Sequence, residues 1–450
     1  MEIKFYNSLG RKKEVFRPLK EGEVLLYSCG PTVYDFAHIG NLRAYVFVDL
    51  LRRFLQFGPA KYKVRQVMNI TDVGHLTSDA DTGEDKIELA ARREKKSAPE
   101  IVKFYTDYFF KATRRLNILR PTKVGFATDY IDKMIELVKL LEKKGYTYQI
   151  SDGVYFDTSK LSDYGKLAAQ NLAELKVGAR VEPNPEKKNP TDFALWKLTP
   201  PGVTRQMEWD SPWGRGFPGW HLECTVIAHE NLGEQFDIHT GGVEHIFPHH
   251  TNEIAQAEAA WGKIPARFWL HNEHLLFGQK KMAKSEGTFV TLEDLEEKGF
   301  EPLAFRMLCL QTHYRSKLHF SFEALAAAQQ SLQTLRRAWQ DSAGKPAKED
   351  LGDFWPALAE DLNSPAALAC LFEMIKAGEL GRQDLIEVDR VLGFGLEEEV
   401  VPAEIQKMLE ERETLRKQGR FDQADEIRQE IEAQGYLVED TPEGPRVIKK

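Results

Sequence analysis

Cysteine is scarce in this chain: four in 450 residues, Cys29, Cys224, Cys309 and Cys370. They are too few and too scattered for a disulfide framework, so a reduced compartment is expected and the thiols stay available for metal. No apolar run approaches the roughly 20 residues that cross a bilayer. The first residues, Met1-Glu2-Ile3-Lys4-Phe5-Tyr6, have neither the charged head nor the apolar stretch of a secretory signal, so a cytoplasmic protein without membrane contact is expected. Basic charge is in deficit as well. With 61 Lys and Arg against 69 Asp and Glu, the net charge of −8 excludes indiscriminate adhesion to polyanions. Local contact with a shaped RNA stays open at Arg92-Arg93-Glu94-Lys95-Lys96, Lys187-Lys188 and Lys449-Lys450. Internal repeats and low-complexity tracts are missing too, and the length with 42% hydrophobic residues points to a globular protein of about two to four domains.

The most informative stretch is Cys29-Gly30-Pro31-Thr32-Val33-Tyr34-Asp35-Phe36-Ala37-His38-Ile39-Gly40-Asn41. An apolar run, Val24-Leu25-Leu26-Tyr27, precedes it, and residues 42–51 follow with helical spacing of apolar positions. Strand, loop and helix in that order put the loop at the carboxyl end of a strand, where open α/β sheets bind ligands and a helix start attracts phosphate. An ATP site is the first expectation. From residue 42 to about 150 helices alternate with short strands, among them Lys63–Met68 and Gly153–Phe156, in the rhythm of a doubly wound sheet. Residues 183–190, rich in Pro and Lys, predict an exposed excursion. From 321 to about 395 the pattern is helical. The end of the chain, from about Pro402, predicts two charged helices meeting at Gln418-Gly419 and then a strand pair.

Eight of the 12 histidines lie between His221 and His274. His249 and Glu253 are four apart, and a helix from Thr251 onward would set both on one face. Alone, such a pair also fits a surface helix. Cys29 and Cys224 add two thiolates, and a set of two sulfurs, one imidazole and one carboxylate points to zinc.

Together these motifs resemble the cysteinyl-tRNA synthetases, a family of class I aminoacyl-tRNA synthetases. The resemblance covers the metal set Cys29, Cys224, His249 and Glu253, the first signature Ala37–Asn41 and the second, Lys281-Met282-Ala283-Lys284-Ser285. It extends to Asp192–Lys197, Trp209–Gly214 with Gly219-Trp220-His221, and the terminal module. It implies a Rossmann-like parallel-sheet catalytic domain over 1–265 with an inserted connective region at about 120–205. A signature-loop region at 266–320, an α-helical domain at 321–400 and a small α+β anticodon-binding module at 401–450 would follow. The implied activity is ATP-dependent activation of L-cysteine and its transfer to tRNA(Cys), with Mg2+ accompanying ATP, one zinc per chain and a monomeric enzyme. His38, Lys281 and Lys284 are the implied catalytic residues; His38, Gly40, Asn41 and Lys284 would hold ATP, and Thr71 and Trp220 the cysteine. The family's second signature histidine is Asn41 here, the serine of the lysine signature is Ala283, and its Lys-Ile-Ile-Lys sequence is Lys86-Ile87-Glu88-Leu89.

Adenylate formation asks mainly for positioning and charge stabilisation. Separating cysteine from serine is harder, because an apolar pocket discriminates by only roughly 10–200-fold for one small group, whereas a soft metal prefers sulfur. Two other readings share these motifs. A cysteine ligase acting on an amino sugar of mycothiol synthesis would leave the module after Pro402 idle, and a non-catalytic zinc-bearing RNA-binding paralogue would have no use for His38, Lys281 and Lys284.

Overall fold

Short runs make the central strands: β3 (Glu23–Ser28), β4 (Lys63–Ile70), β7 (Lys123–Phe126), β12 (Phe236–Gly242) and β13 (Ala266–Asn272); burial alternates at the start of β3 and β4 and is continuous along β12, as in a parallel sheet covered on both faces. They pair in parallel in the order β13-β12-β3-β4-β7. The chain winds outward from β3 on one side and later outward from β12 on the other, so a switch point opens between β3 and β12 at their carboxyl ends. This computed structural model describes residues 1–73, 76–78, 82–168, 184–278, 280–281, 288–396, 402–434, 436–441 and 444–449.

Helix α1 (Ile39–Phe57) follows β3, α5 (Trp220–Leu232) precedes β12, and both pack on β4. Helix α6 (Thr251–Trp261) joins β12 to β13. Leu25, Tyr27 and Cys29 alternate onto one face, where they meet Cys224, Ile227 and Ala228 of α5. The hairpin β5 (Leu76–Ser78) and β6 (Thr82–Asp85), then α2 (Lys86–Glu94) and α3 (Ala98–Arg115), fill the link from β4 to β7.

Between β7 and α5 stand α4 (Ile131–Lys143) and a separate antiparallel sheet of β8 (Thr147–Ile150), β9 (Gly153–Phe156), β10 (Phe193–Leu198) and β11 (Gly216–Pro218), in the order β11-β10-β9-β8. The strand at 153–156 is therefore no part of the doubly wound sheet, as its sequence had suggested. A short apolar run does not reveal its partner, and the partner here is the neighbouring strand of a hairpin. Asp192 holds this sheet: its carboxylate accepts from the Tyr148 hydroxyl at 2.7 Å and from the Thr158 amide and hydroxyl at 2.8 Å each.

Two smaller sheets complete the larger unit: the hairpin β1 (Lys4–Asn7) with β2 (Lys12–Val15), and β14 (Leu275–Phe277) between β15 (Lys280–Lys281) and β16 (Leu318–Phe320). The later helices are α7 (Leu292–Glu297), α8 (Pro302–Leu310), α9 (Phe322–Asp341), α10 (Phe354–Ala359), α11 (Ser364–Ala377) and α12 (Arg382–Leu392). They share one compact unit, Met1–Phe394, with the parallel sheet. A buried charge cluster fastens them. Asp49 of α1 accepts from Arg53 Nε at 2.8 Å, from Arg306 Nη2 of α8 at 2.6 Å and from the Leu119 amide at 2.8 Å. Arg306 and Arg53 spend further N–H groups on the carbonyls of Leu392 and Arg390 in α12, at 2.6 and 2.9 Å.

The second unit, Gly395–Lys450, contains α13 (Ala403–Lys417), α14 (Phe421–Ala433) and the hairpin β17 (Tyr436–Thr441) with β18 (Gly444–Lys449), around Ile405, Leu409, Ile431 and Val438. Its helices and strand pair follow the sequence pattern.

Removing one partner from a buried ion cluster strands the others without water. Arg306→Leu is expected to destabilise the larger unit by about 3–5 kcal/mol, seen as a lower urea midpoint for its unfolding transition.

Candidate active site and metal centre

The first turn after β3 can approach β4 only because residue 30 has no side chain. A β-carbon on Gly30 would lie 1.7 Å from the Asn69 carbonyl oxygen. Asn69 also accepts from the Gly30 amide through Oδ1 at 2.8 Å and donates from Nδ2 to Thr71 Oγ1 at 3.0 Å. The backbones of Pro31, Val33 and Thr71 continue the pairing past the strand ends. Cys29 and Thr71 thereby reach the same cleft.

That cleft has a volume of about 560 Å³ and is lined by Cys29, His38, Gly40, Asn41, Thr71, Trp220, Cys224 and His249, among others. The structure thus brings both expected ends of the site into one cavity. Glu253 lies beneath, 2% exposed. One ligand atom each from Cys29, Cys224, His249 and Glu253 falls within 4.8 Å of all the others. Helix α5 supplies Cys224 one turn after Trp220, whose ring stacks on His249 at 4.4 Å between centroids. His249 stands in the turn Ile246–His250 ahead of α6, and Glu253 in the first turn of α6.

A second set, Cys29, His239, His250 and Glu253, meets the same distance limit. Its histidines are already engaged. His250 uses Nδ1 toward His271 Nε2 at 2.8 Å and Nε2 toward Cys29 Sγ at 3.3 Å, while His239 Nε2 meets Glu253 Oε2 at 2.9 Å. His249, which unlike His239 and His250 lines the cleft, pairs its Nδ1 with His221 Nδ1 at 3.0 Å and points Nε2 at Glu253 Oε1, 3.1 Å away. Despite that short approach the buried carboxylate oxygen makes no hydrogen bond, a costly state unless a cation meets it. Burial raises the Cys29 thiol above its ordinary pKa, and the neighbouring Cys29 and then burial raise that of Cys224. A dication among these four groups reverses that preference, since ligating thiols are deprotonated. The donor set fits zinc.

At the other end His38 caps α1. Its Nδ1 accepts from the Asn41 amide and Asn41 Oδ1 accepts from the His38 amide, both at 3.3 Å, so Asn41 closes a capping box in the place of the family's second histidine. With Nδ1 an acceptor, the neutral ring carries its hydrogen on Nε2. Arg43, 2% exposed, pins the far wall to α1 by donating to the carbonyls of Glu273 and His274 at 2.8 and 2.5 Å.

The sequence reading passed over Gly241, Gly242, Glu244 and Glu273, which line the cleft at the ends of β12 and β13; the Gly-Gly pair closing an apolar strand was the available signal. Lys281 is described only as a backbone partner of Leu276. Its side chain and all of Lys284 lie outside the described residues. The basic patches are mostly spent within the protein: Arg92 pairs with Glu84, Arg93 and Lys96 with Glu94, Lys188 with Asp157, and Lys187 donates to the Asp192 carbonyl.

Comparison with known proteins decides the family. A profile described as "tRNA synthetases class I (C) catalytic domain" matches residues 15–330, and one described as "Cysteinyl-tRNA ligase anticodon binding domain" matches 399–446. The chain is 48% identical over 460 residues to cysteine–tRNA ligase 1 of Burkholderia lata, covering 100% of this chain and 97% of the relative. The chain belongs to the cysteinyl-tRNA synthetases. Relatives from Treponema denticola and Thermus thermophilus, both cysteine–tRNA ligases, are 44% and 43% identical over 98% and 99% of the chain and 98% and 99% of their own lengths. Among solved structures, methionyl-tRNA synthetase of Mycobacterium tuberculosis with methionyl-adenylate aligns over 89% of this chain and 87% of its own, at TM-score 0.54 and 14% identity, and shares the fold. This synthetase is therefore an enzyme that charges tRNA with cysteine, and the match at 399–446 covers the module that an amino-sugar ligase would leave idle.

Burial lowers the His38 pKa from 6.5 to about 4, against a smaller opposing pull from Asp35. The imidazolium is the disfavoured form, so lowering the pH from 8 to 5 leaves the ring neutral. An NMR titration of the His38 ring is expected to show its midpoint near pH 4, with the Nε2–H tautomer above it.

Proposed function

We propose that this cysteinyl-tRNA synthetase selects its amino acid at a zinc site made by Cys29, Cys224, His249 and Glu253, and activates it beside His38. The carrying observation is the convergence of two thiols, one imidazole and one carboxylate within 4.8 Å, next to a cleft that ends at the capped start of a helix. Zinc held there supplies a soft Lewis acid that prefers a substrate thiolate to a serine hydroxyl.

The chain's own residues do the rest. Trp220, stacked on His249, and Thr71, held by Asn69, wall the cysteine side chain and keep water from the thiol. His221 fixes the orientation of His249; burial lowers the His221 pKa to about 3, which keeps it neutral beside a ligand ring. His38 offers Nε2–H to a phosphate oxygen of ATP while Gly40 and Asn41 sit in the adjoining first turn of α1. Lys281 and Lys284 of the second signature neutralise the departing pyrophosphate, with Mg2+ accompanying ATP, and this part of the reading rests on the sequence motif. All four cysteines are free thiols, which suits the reducing cytoplasm.

Cys224→Ser replaces a soft ligand by a hard one. Metal analysis should then find zinc well below one equivalent, and pyrophosphate exchange should no longer separate cysteine from serine. Full zinc occupancy in this variant would remove Cys224 from the ligand set.

The module Gly395–Lys450 anchors the far part of the tRNA, a role supported by the anticodon-domain match and by Arg416, Lys417 and Arg428 on its helices and Arg420 in the turn between them. Arg412, one turn before Arg416 on the same helix, is not available to phosphate. It is 0% exposed and clamps Asp440 through Nη1 and Nη2 at 2.8 and 3.0 Å. Ending the chain after Phe394 is expected to leave cysteine-dependent pyrophosphate exchange near the parental rate while tRNA charging falls at least tenfold, mainly through weaker tRNA binding in a filter assay.

A further inference from the structure

Phenylalanine is seldom left in water, and among the described residues only Phe36, Phe104 and Phe421 are exposed, at 36, 44 and 59%. Two of these three touch. Phe36, in the loop between Cys29 and α1, meets Phe104 of α3 with ring centroids 6.0 Å apart, and Tyr105 and Tyr108 stand 5.2 and 4.8 Å from Phe36. Those rings cross Phe36 at 76°, 80° and 74°, and Phe104 crosses Tyr105 at 84°. No ring in the group covers another face to face. Lys96 Nζ lies 4.7 Å above the Phe104 ring, and exposed Lys95 caps α2 in the left-handed conformation, φ 55°. Arg93, Lys95 and Lys96 stand among the carboxylates Asp35, Glu94 and Glu100; Glu94 is held by Arg93, Lys96 and the Tyr105 hydroxyl, and Glu100 accepts from the Ser97 amide and hydroxyl, which leaves Lys95 facing solvent.

The group is continuous with the cleft. Phe36 and Tyr105 both line it, whereas Phe104 stands outside, so an aromatic strip runs from the cleft wall to solvent. Amino acid activation gives the outer end of that strip nothing to do. Aromatic faces with cations beside them are what single-stranded nucleic acid binds: bases stack without regard to sequence, and ammonium groups meet the backbone. A duplex hides its base faces, and a stable protein partner needs about 800 Å² on each side, far more than two phenyl rings offer.

We propose that Phe104 and Phe36, with Lys95 beside them, form the platform on which the unpaired 3′ end of the tRNA lies as its terminal ribose enters the cleft. The proposal rests on the reading that cysteine is activated in this cleft. The end of the tRNA must come within reach of the adenylate there, and the strip is a solvent-exposed aromatic surface that leads in.

Phe104, outside the cleft, gives the test. Phe104→Ala is expected to raise the KM for tRNA in aminoacylation about tenfold, within the roughly 5- to 100-fold range of one lost base–aromatic stack, while cysteine-dependent pyrophosphate exchange stays at the parental rate. Phe104→Trp, which keeps a π-face, should charge tRNA like the parent; Phe104→Leu, apolar but without one, should behave like the alanine variant. With tRNA shortened by its last three nucleotides, parent and Phe104→Ala should bind equally in a filter assay. An unchanged KM in Phe104→Ala, rescue by leucine, a binding difference that survives on shortened tRNA, or a fall in pyrophosphate exchange would each overturn the platform. Absence of cysteine-dependent exchange in the parent would overturn the activation reading, and the platform with it.

Discussion

The backbone of Asn69 occupies the space where any side chain on residue 30 would have to go. That contact, with the amide of Gly30 bound to Asn69 Oδ1, locks the ends of β3 and β4 together. Cys29 comes from the first strand and Thr71 from the second, so the distance between thiol and hydroxyl is set by main chain and not by flexible side chains. Helix α5, packed on β4, adds Trp220 and Cys224, and the turn before α6 adds His249. A site assembled from strand ends and helix starts in this way inherits the rigidity of the sheet.

The same density explains why the floor of the site is built of neutral rings. Burial, foremost, lowers the pKa values of His221, His250 and His271. His250 links Cys29 Sγ at 3.3 Å to His271 at 2.8 Å, and His271 Nδ1 passes the chain on to Ser8 Oγ at 2.7 Å, while His221 pairs with His249 at 3.0 Å. Glu253 Oε1 is among the buried atoms that make no hydrogen bond, and with two thiols and the His249 ring beside it, it marks where a positive charge belongs.

Much of this was legible in the sequence. The strand–loop–helix at Cys29–Asn41, the four-residue interval from His249 to Glu253 and the terminal module all lie where the residue pattern put them, because each is a local signal of turn chemistry or periodicity. What stayed hidden was long-range. Nothing in Gly153–Phe156 says that its partners are 147–150 and 193–198, and nothing in Arg412 says that Asp440 will bury it. Arg412 looks like a phosphate ligand for the same reason that it makes a clamp: its planar fork suits any pair of anionic oxygens. The Gly-Gly pair at 241–242 could have been read, since such a pair closing an apolar strand marks close backbone approach.

The knot at Asp49 decides where this chain can be divided. The catalytic-domain match stops at residue 330, yet Arg306 and Arg53 reach past it to the carbonyls of Leu392 and Arg390. A fragment cut at residue 330 would keep both guanidinium groups and lose those acceptors, which leaves dry N–H groups at the heart of the molecule. Sequence kinship and mechanical unity therefore have different borders here. The helices after the catalytic segment are a wall of the same building, which runs on to Phe394.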